Sequence, residues 1–366
     1  MPKDETFWNP YRLIPIRDGV QRKAPITDEK FNGMCGTISC SLENLTPLFV
    51  GKNRLNSQQF LTRKTDQGDR YVIPGSSLKG MLRSIGELVG GGCFVTGFHG
   101  AEGKQIYEAC NNAQKLCITC RMFGMIEDAK VHRGNVNISD ALLQEEKPGT
   151  QSFHIQLSSP KTNHKPFYRS PDTGIFDGKS RKFYFHQPQR LNSVPNVPDN
   201  LKYRAWNINA LLPGHHFDFD VQFSNLSEAE LNLLLYVIAL EDEVYETIEG
   251  EDFKLALQGP LRHKIGNAKP LGMGSCFINI KKLKIFANPT EKFRSLKNAY
   301  EKYFEDAELK REISSHIQKF KEDKSPTMEG MRKMMIWDEQ DTRNFRYPDH
   351  HWFDNPANSQ KPLKKI

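Results

Sequence analysis

Tyr71-Val72-Ile73-Pro74-Gly75-Ser76-Ser77-Leu78-Lys79-Gly80-Met81-Leu82-Arg83 reads as a strand, a turn and the start of a helix. A short apolar run enters a Pro-Gly-Ser-Ser turn, after which Leu78, Leu82, Ile85 and Leu88 or Val89 recur at helical spacing. Ser76 or Ser77 stands where a cap belongs. The same grammar returns later in the chain. Phe217, Phe219, Val221 and Phe223 alternate as a half-buried strand, and Ser224-Asn225-Leu226-Ser227 caps a helix through Leu240, with Glu228 and Glu230 favourable in its first turn. Further strand-like runs centre on Ile38, Cys40 and Leu42, on residues 134–138, on Phe153, Ile155 and Leu157, and on Phe277, Ile278 and Ile280. Two strand-helix units with strands between them predict an α+β fold: a modified ferredoxin-like, RRM-like core.

Two insertions decorate that core: a Cys-rich and Gly-rich one at about 91–132, and a basic, aromatic and proline-rich one at about 158–198. Beyond them, Phe293, Leu296, Tyr300, Tyr303 or Phe304, Ile313, Ile317 and Phe320 fall on helical faces. Residues 1–287 therefore read as one embellished domain and 288–366 as a helical C-terminal region and tail. The tail from Pro348, with His350, His351, Trp352 and Phe353, reads as a docking segment.

The chain has 366 residues, 37% of them hydrophobic, which is enough for a sizeable core and excludes collagen-like and wholly disordered classes. Its longest apolar run, Leu233 to Leu240, is too short to span a bilayer. The N-terminus lacks the apolar core and small-residue cleavage site of a secretory signal, and seven cysteines, several clustered, suit a reducing compartment. The expected location is the cytoplasm. Of the formal net charge of +7, residues 161–190 hold +5, with seven cations against Asp172 and Asp177.

Gly75 to Gly80 has the two glycines of a phosphate-binding P-loop, but Met81 and Leu82 stand where that loop needs Lys and Ser or Thr. Nucleotide hydrolysis of that class is excluded. The turn and helix start still offer amides, and Lys79 and Arg83 share one face opposite the apolar stripe, either as a grip on phosphates or as a solvated basic face. In the second insertion Lys179, Arg181 and Lys182 interleave with Tyr184 and His186, as in grooves where cations track phosphates and rings stack on bases; the alternative is aromatic packing with solvated charges. Cys117 and Cys120 have the spacing of half a tetrahedral zinc site, which Cys93 and Cys110 can complete, with His99 as a substitute for Cys93. Buried free thiols are the other reading, as for Cys35, Cys40 and Cys276.

The motif from Ile73 to Arg83, together with Lys269-Pro270-Leu271-Gly272-Met273-Gly274-Ser275, resembles the CRISPR-associated RAMP superfamily. Asn9-Pro10-Tyr11, the run from Ser180 to His186, Cys120 to Gly124 with Ser139-Asp140-Ala141, and Phe223 to Ser227 extend the resemblance, with an echo at Tyr347-Pro348. It implies a backbone-type subunit of a type III effector complex that holds guide RNA by its sugar-phosphate chain. Implied partners are CRISPR guide RNA, complementary target RNA and other effector-complex subunits, with no membrane. The RNA-binding candidates are Gly75, Ser76, Ser77, Lys79, Arg83, Lys179, Arg181, Lys182, Tyr184, His186, Lys264, Lys269, Gly272 and Gly274. The resemblance also implies structural Zn2+ on Cys93, Cys110, Cys117 and Cys120 in zinc-binding members, and target-RNA cutting with Mg2+ or Mn2+ by an acid after the first strand in cleaving members. Asp66 and Asp69 occupy that region, beside Arg63, Lys64 and Arg70, and the other reading of them is a solvated charged loop with salt bridges. The alternatives are a metal-independent guide-processing endoribonuclease using His132, His154 or His186, and a non-catalytic RRM-like interaction module.

Overall fold

The computed structural model describes residues 8–17, 19–26, 33–51, 59–66, 68–93, 109–127, 130–157, 180–190, 205–249, 254–286, 301–347 and 355–358. The strands in chain order are β1 (Tyr11–Pro15), β2 (Met34–Asn44), β3 (Thr62–Thr65), β4 (Gly68–Ile73), β5 (Met125–Glu127), β6 (Lys130–His132), β7 (Val136–Ile138), β8 (Ala141–Leu143) and β9 (Thr150–Gln156). They continue as β10 (Ser180–Tyr184), β11 (Ala205–Leu211), β12 (His216–Leu226), β13 (Val244–Glu249), β14 (Lys254–Gly259), β15 (His263–Lys264), β16 (Ser275–Phe286) and β17 (Glu301–Phe304). Helices are α1 (Gly75–Val89), α2 (Ile118–Phe123), α3 (Glu228–Ala239), α4 (Asp306–Lys321) and α5 (Pro326–Met335).

One large antiparallel sheet runs β15-β16-β2-β12-β8-β4-β3, with β7 also on β12 and β17 on β16. Its core is β2, α1, the β7 and β8 segments, β12, α3 and β16. In chain order this is β-α-β-β-α-β, with the last strand beside the first and the third between the first and second. That is the α+β, ferredoxin-like arrangement expected from the strand-helix units. The alternation produces it directly: Phe217, Phe219, Val221 and Phe223 of β12 and Ile38, Cys40 and Leu42 of β2 are buried. Asp218 and Asp220 between them face away, with Lys281 ion-paired to Asp218 at 2.9 Å and Ser39 hydrogen-bonded to Asp220 at 2.7 Å.

Helix α1 buries Leu78, Leu82, Ile85, Leu88 and Val89 as the spacing required. Its start differs from expectation. Neither Ser76 nor Ser77 caps it; Pro74 is the N-cap residue, with no side-chain cap, and the Gly75 amide donates instead to Asp140 Oδ1 at 2.9 Å. The cap thus comes from a distant loop, and a Cβ on Gly75 would lie 2.2 Å from the Ile138 carbonyl oxygen. Helix α3 begins as read: Ser227 Oγ accepts from the Glu230 amide, and Glu230 Oε2 accepts from the Ser227 amide at 2.9 Å. It is buried nearly all round because α4 covers its outer side, where Tyr236 and Phe320 stack with centroids 4.4 Å apart.

The C-terminal region is only partly helical. Ile313, Ile317 and Phe320 lie on α4, but Tyr303 and Phe304 belong to β17, which extends the sheet beside β16. Sheet pairing overrides the helical spacing there. Phe293, Leu296, Tyr300 and the tail residues His350, His351, Trp352 and Phe353 lie outside the described residues. Among those described, no helix is long and apolar enough to cross a membrane.

Candidate nucleic-acid interface and metal centre

Cys93 follows the end of α1, Cys110 lies in the following loop, Cys117 caps α2, and Cys120 sits within it. All four are buried, and their sulfur atoms lie within 4.8 Å of one another. A tetrahedral zinc with Zn–S of about 2.3 Å has sulfur-sulfur edges of about 3.8 Å. The cluster fits such an ion. Backbone amides already point at the sulfurs: Cys93 N to Cys117 Sγ at 3.3 Å, Cys117 N to Cys110 Sγ at 3.3 Å, and Cys120 N to Cys117 Sγ at 3.4 Å. Hydrogen bonds from Cys110, Cys120 and Cys93 hold the Cys117 thiol well below the ordinary thiol range. This buried four-cysteine cluster can therefore bind a metal such as zinc. Cys40 and Cys276 are instead buried strand thiols, and burial pushes the Cys276 thiol up to about 12. His99 is outside the described residues.

Beside this cluster runs the polar face of α1. Lys79 Nζ donates to the Val136 carbonyl at 3.0 Å, and burial, with Arg83 and Arg133 nearby, lowers its pKa. Arg83 is turned inward. Its Nε meets Glu87 Oε1 at 2.7 Å, Nη1 donates to the Gly124 carbonyl at 2.7 Å, and Nη2 to Cys120 Sγ at 3.3 Å. Glu87 is 2% exposed and ion-pairs through its other oxygen with Arg181 of β10, whose Nη2 also reaches Ser84 Oγ at 2.9 Å. Burial, and then the Arg83 charge, bring Arg181 down to about 10.

From Arg181 the positive charge continues to the glycine-rich turn. Burial is the main cause of a lowered pKa at Lys269, with Arg181 opposing its charge, and it lowers Lys264 to about 7, with Lys269 opposing. Lys264 Nζ donates to the Phe185 carbonyl at 2.9 Å and lies 3.3 Å from Ser275 Oγ. Burial, and then Lys264, drive the His186 pKa well below 6.5, so its ring is neutral. Nε2, 3.0 Å from the Arg262 carbonyl, must donate to it, which leaves Nδ1 to accept from Ser275 Oγ at 2.8 Å. His186 is 3% exposed, so the structure places it in a packing network and not on an open groove. Gly272 and Gly274 have φ of +92° and +79°, and a Cβ on Gly274 would lie 1.8 Å from the Ile265 carbonyl oxygen. Their conformation and close packing are what need glycine.

Lys182 and Tyr184 lie on β10, which pairs with β1, and the Lys182 ammonium sits 3.8 Å from the Tyr11 ring centroid. Burial lowers this lysine to about 8. Ser76 is exposed and Ser77 half-buried in the first turn of α1, and Lys179 lies outside the described residues. Asp66 and Asp69 are exposed at the β3–β4 hairpin, with Lys64 opposite Asp69. Among the described residues, the cysteine cluster is the group of three or more His, Cys, Asp or Glu ligands close enough to hold a metal, and it includes neither aspartate.

The structure thus joins helix α1, through Ser84 and Glu87, to β10, and sets β10 beside the glycine-rich loop, segments that are far apart in the chain. Sequence reasoning missed Glu87, although the spacing of Arg83 and Glu87, four apart on one helix, signals it. It quoted Asp140 within Ser139-Asp140-Ala141 without its role as acceptor for the Gly75 amide, which nothing local signals.

The family model described as the RAMP superfamily matches residues 41–276. No curated protein matches the chain. Among solved structures, a chain of the Csm3-Csm4 subcomplex in the type III-A CRISPR-Cas interference complex is 15% identical. The match covers 77% of this chain and 97% of that one, with a TM-score of 0.34.

Proposed function

The chain belongs to the RAMP superfamily, and from that premise we propose that it is a guide-RNA-binding subunit of a type III CRISPR effector complex. The supporting observation is a set of neighbouring cations: Arg83 opposes the charge of Lys79 and of Arg181, Arg181 that of Lys269, and Lys269 that of Lys264, with the Glu87 carboxylate shared between Arg83 and Arg181. Like charges gathered at a partly buried surface are unfavourable in the free protein and favourable against a polyanion. Ammonium groups and tight glycine turns address phosphate and sugar, not base edges, which suits a guide of any sequence. In this reading Lys79, Lys182 and Lys269 meet phosphates, Tyr184 offers a stacking face, and Gly75, Ser76, Ser77, Gly272 and Gly274 shape the surface.

Cys93, Cys110, Cys117 and Cys120 would hold Zn2+. Four thiolates close its coordination, so the metal braces the loops around α2 and leaves no position for a reacting group. Asp66 and Asp69 are the acids assigned to target cutting with Mg2+ or Mn2+. The expected neighbours are guide RNA, complementary target RNA and other effector subunits in the cytoplasm.

The test is purification of the protein with its native partners, sequencing of protected RNA, and incubation with complementary RNA with and without Mg2+ or Mn2+. Guide-derived RNA is expected in the complex, and Lys79→Gln with Lys269→Gln should weaken RNA binding and lower its salt slope by about 0.7 per lost contact. Metal-dependent cuts abolished by Asp66→Ala or Asp69→Ala identify a nuclease subunit; bound guide without cuts identifies a structural one. Absence of bound RNA overturns the proposal, and metal-free cutting of repeat RNA favours guide processing.

A further inference from the structure

Four thiolates around a divalent ion carry a net charge of −2, and a buried charge of that size needs compensation. The cluster has two guanidinium groups against it, from segments far apart in the chain. Arg83 Nη2 donates to Cys120 Sγ at 3.3 Å from helix α1. Arg22 lies close enough to Cys110, Cys93 and Cys117 to feel their charge, Cys110 most strongly. Its segment is fastened to the cysteine loop by reciprocal backbone bonds between Lys23 and Leu116 at 2.9 and 2.8 Å. Arg83 is half-buried and Arg22 exposed, yet both lie beside ligand sulfurs.

We propose that Arg83 and Arg22 are positioning residues of the metal centre, supplying the two positive charges that balance the tetrathiolate. The inference rests on the zinc reading above and removes Arg83 from the phosphate grip. Arg83 also connects the centre to the RNA surface. Its guanidinium joins Cys120 to Glu87, and Glu87 joins it to Arg181. A loaded centre holds Arg83 toward the sulfurs, so Glu87 and Arg181 keep the β10 cations in register with α1.

The experiment uses the full chain, stripped of metal and reloaded with Co2+ or Zn2+. Wild type should show the intense thiolate-to-cobalt absorption of a tetrahedral four-sulfur site. Zinc affinity, measured by chelator competition, should fall about 10- to 100-fold in Arg83→Gln and in Arg22→Gln, the range for outer-shell partners of metal ligands. Arg83→Lys should recover part of the loss, and Lys281→Gln on the sheet surface should lose none. If Arg83→Gln does not fold, Arg22→Gln, at an exposed position, carries the test. Affinity within twofold of wild type in either glutamine variant overturns the assignment of that arginine. Single-stranded RNA should bind the loaded protein more tightly than the stripped protein by at least threefold, and equal binding overturns the connection through Glu87. Wild type that takes up neither metal overturns the zinc reading itself, a result distinct from failure of the arginine assignment.

Discussion

Glu87 is the residue on which the cationic surface depends. Its carboxylate is 2% exposed and lies between Arg83 and Arg181, whose side chains are each 18% exposed. Removing a partner from such a pair leaves uncompensated charge in a poorly hydrated place, at about 3–5 kcal/mol. Glu87→Gln should therefore lose about 3 kcal/mol of unfolding free energy in denaturant titration at pH 7. A loss below about 1 kcal/mol would mean that the two arginines find other partners or water. This residue also marks a limit of reading side chains from spacing. The sequence places Lys79, Arg83 and Glu87 on one helical face, but the face of a helix does not say what packs against it. Arg83 meets a cysteine loop and an insertion strand, both brought there by contacts distant in sequence.

Elements defined by their own periodicity were legible, and elements defined by a partner were not. Ser227 and Glu230 announce the start of α3, and the structure contains both reciprocal bonds of the capping box. Ser227→Ala should cost about 1 kcal/mol, read as a shift of the denaturation midpoint with an unchanged slope. An unchanged midpoint would show that burial of α3 alone holds its first turn. Helix α1 was equally visible from its apolar stripe, while its cap was not, because the acceptor for the Gly75 amide is Asp140, 65 residues away. Strand β17 escaped for a similar reason. Its four residues are too short for a pattern, and it exists by pairing with β16.

At the scale of the whole molecule, buried neutral histidines tie stability to pH. His263 is 1% exposed, its Nε2 donates to the Val237 carbonyl at 2.8 Å, and burial lowers its pKa to about 4. His186 is lowered in the same direction. Between about pH 6.5 and 4 the unfolded chain takes up protons that the folded chain refuses, so stability must fall as pH falls through that window. For His263 the full effect is about 3 kcal/mol. Thermal unfolding followed by circular dichroism should show the decline, and His263→Gln should flatten it. An equal slope in that variant would assign the decline to other groups, including the cysteine cluster. By itself the sequence determined the α+β core, the two strand-helix units and the Cys117–Cys120 spacing of half a metal site. These follow from periodicity and side-chain type, which act locally. Only the tertiary structure decided that His186 is interior, that Asp140 caps α1, and that Arg83 faces sulfur as well as carboxylate, because each depends on which distant segment occupies the neighbouring space.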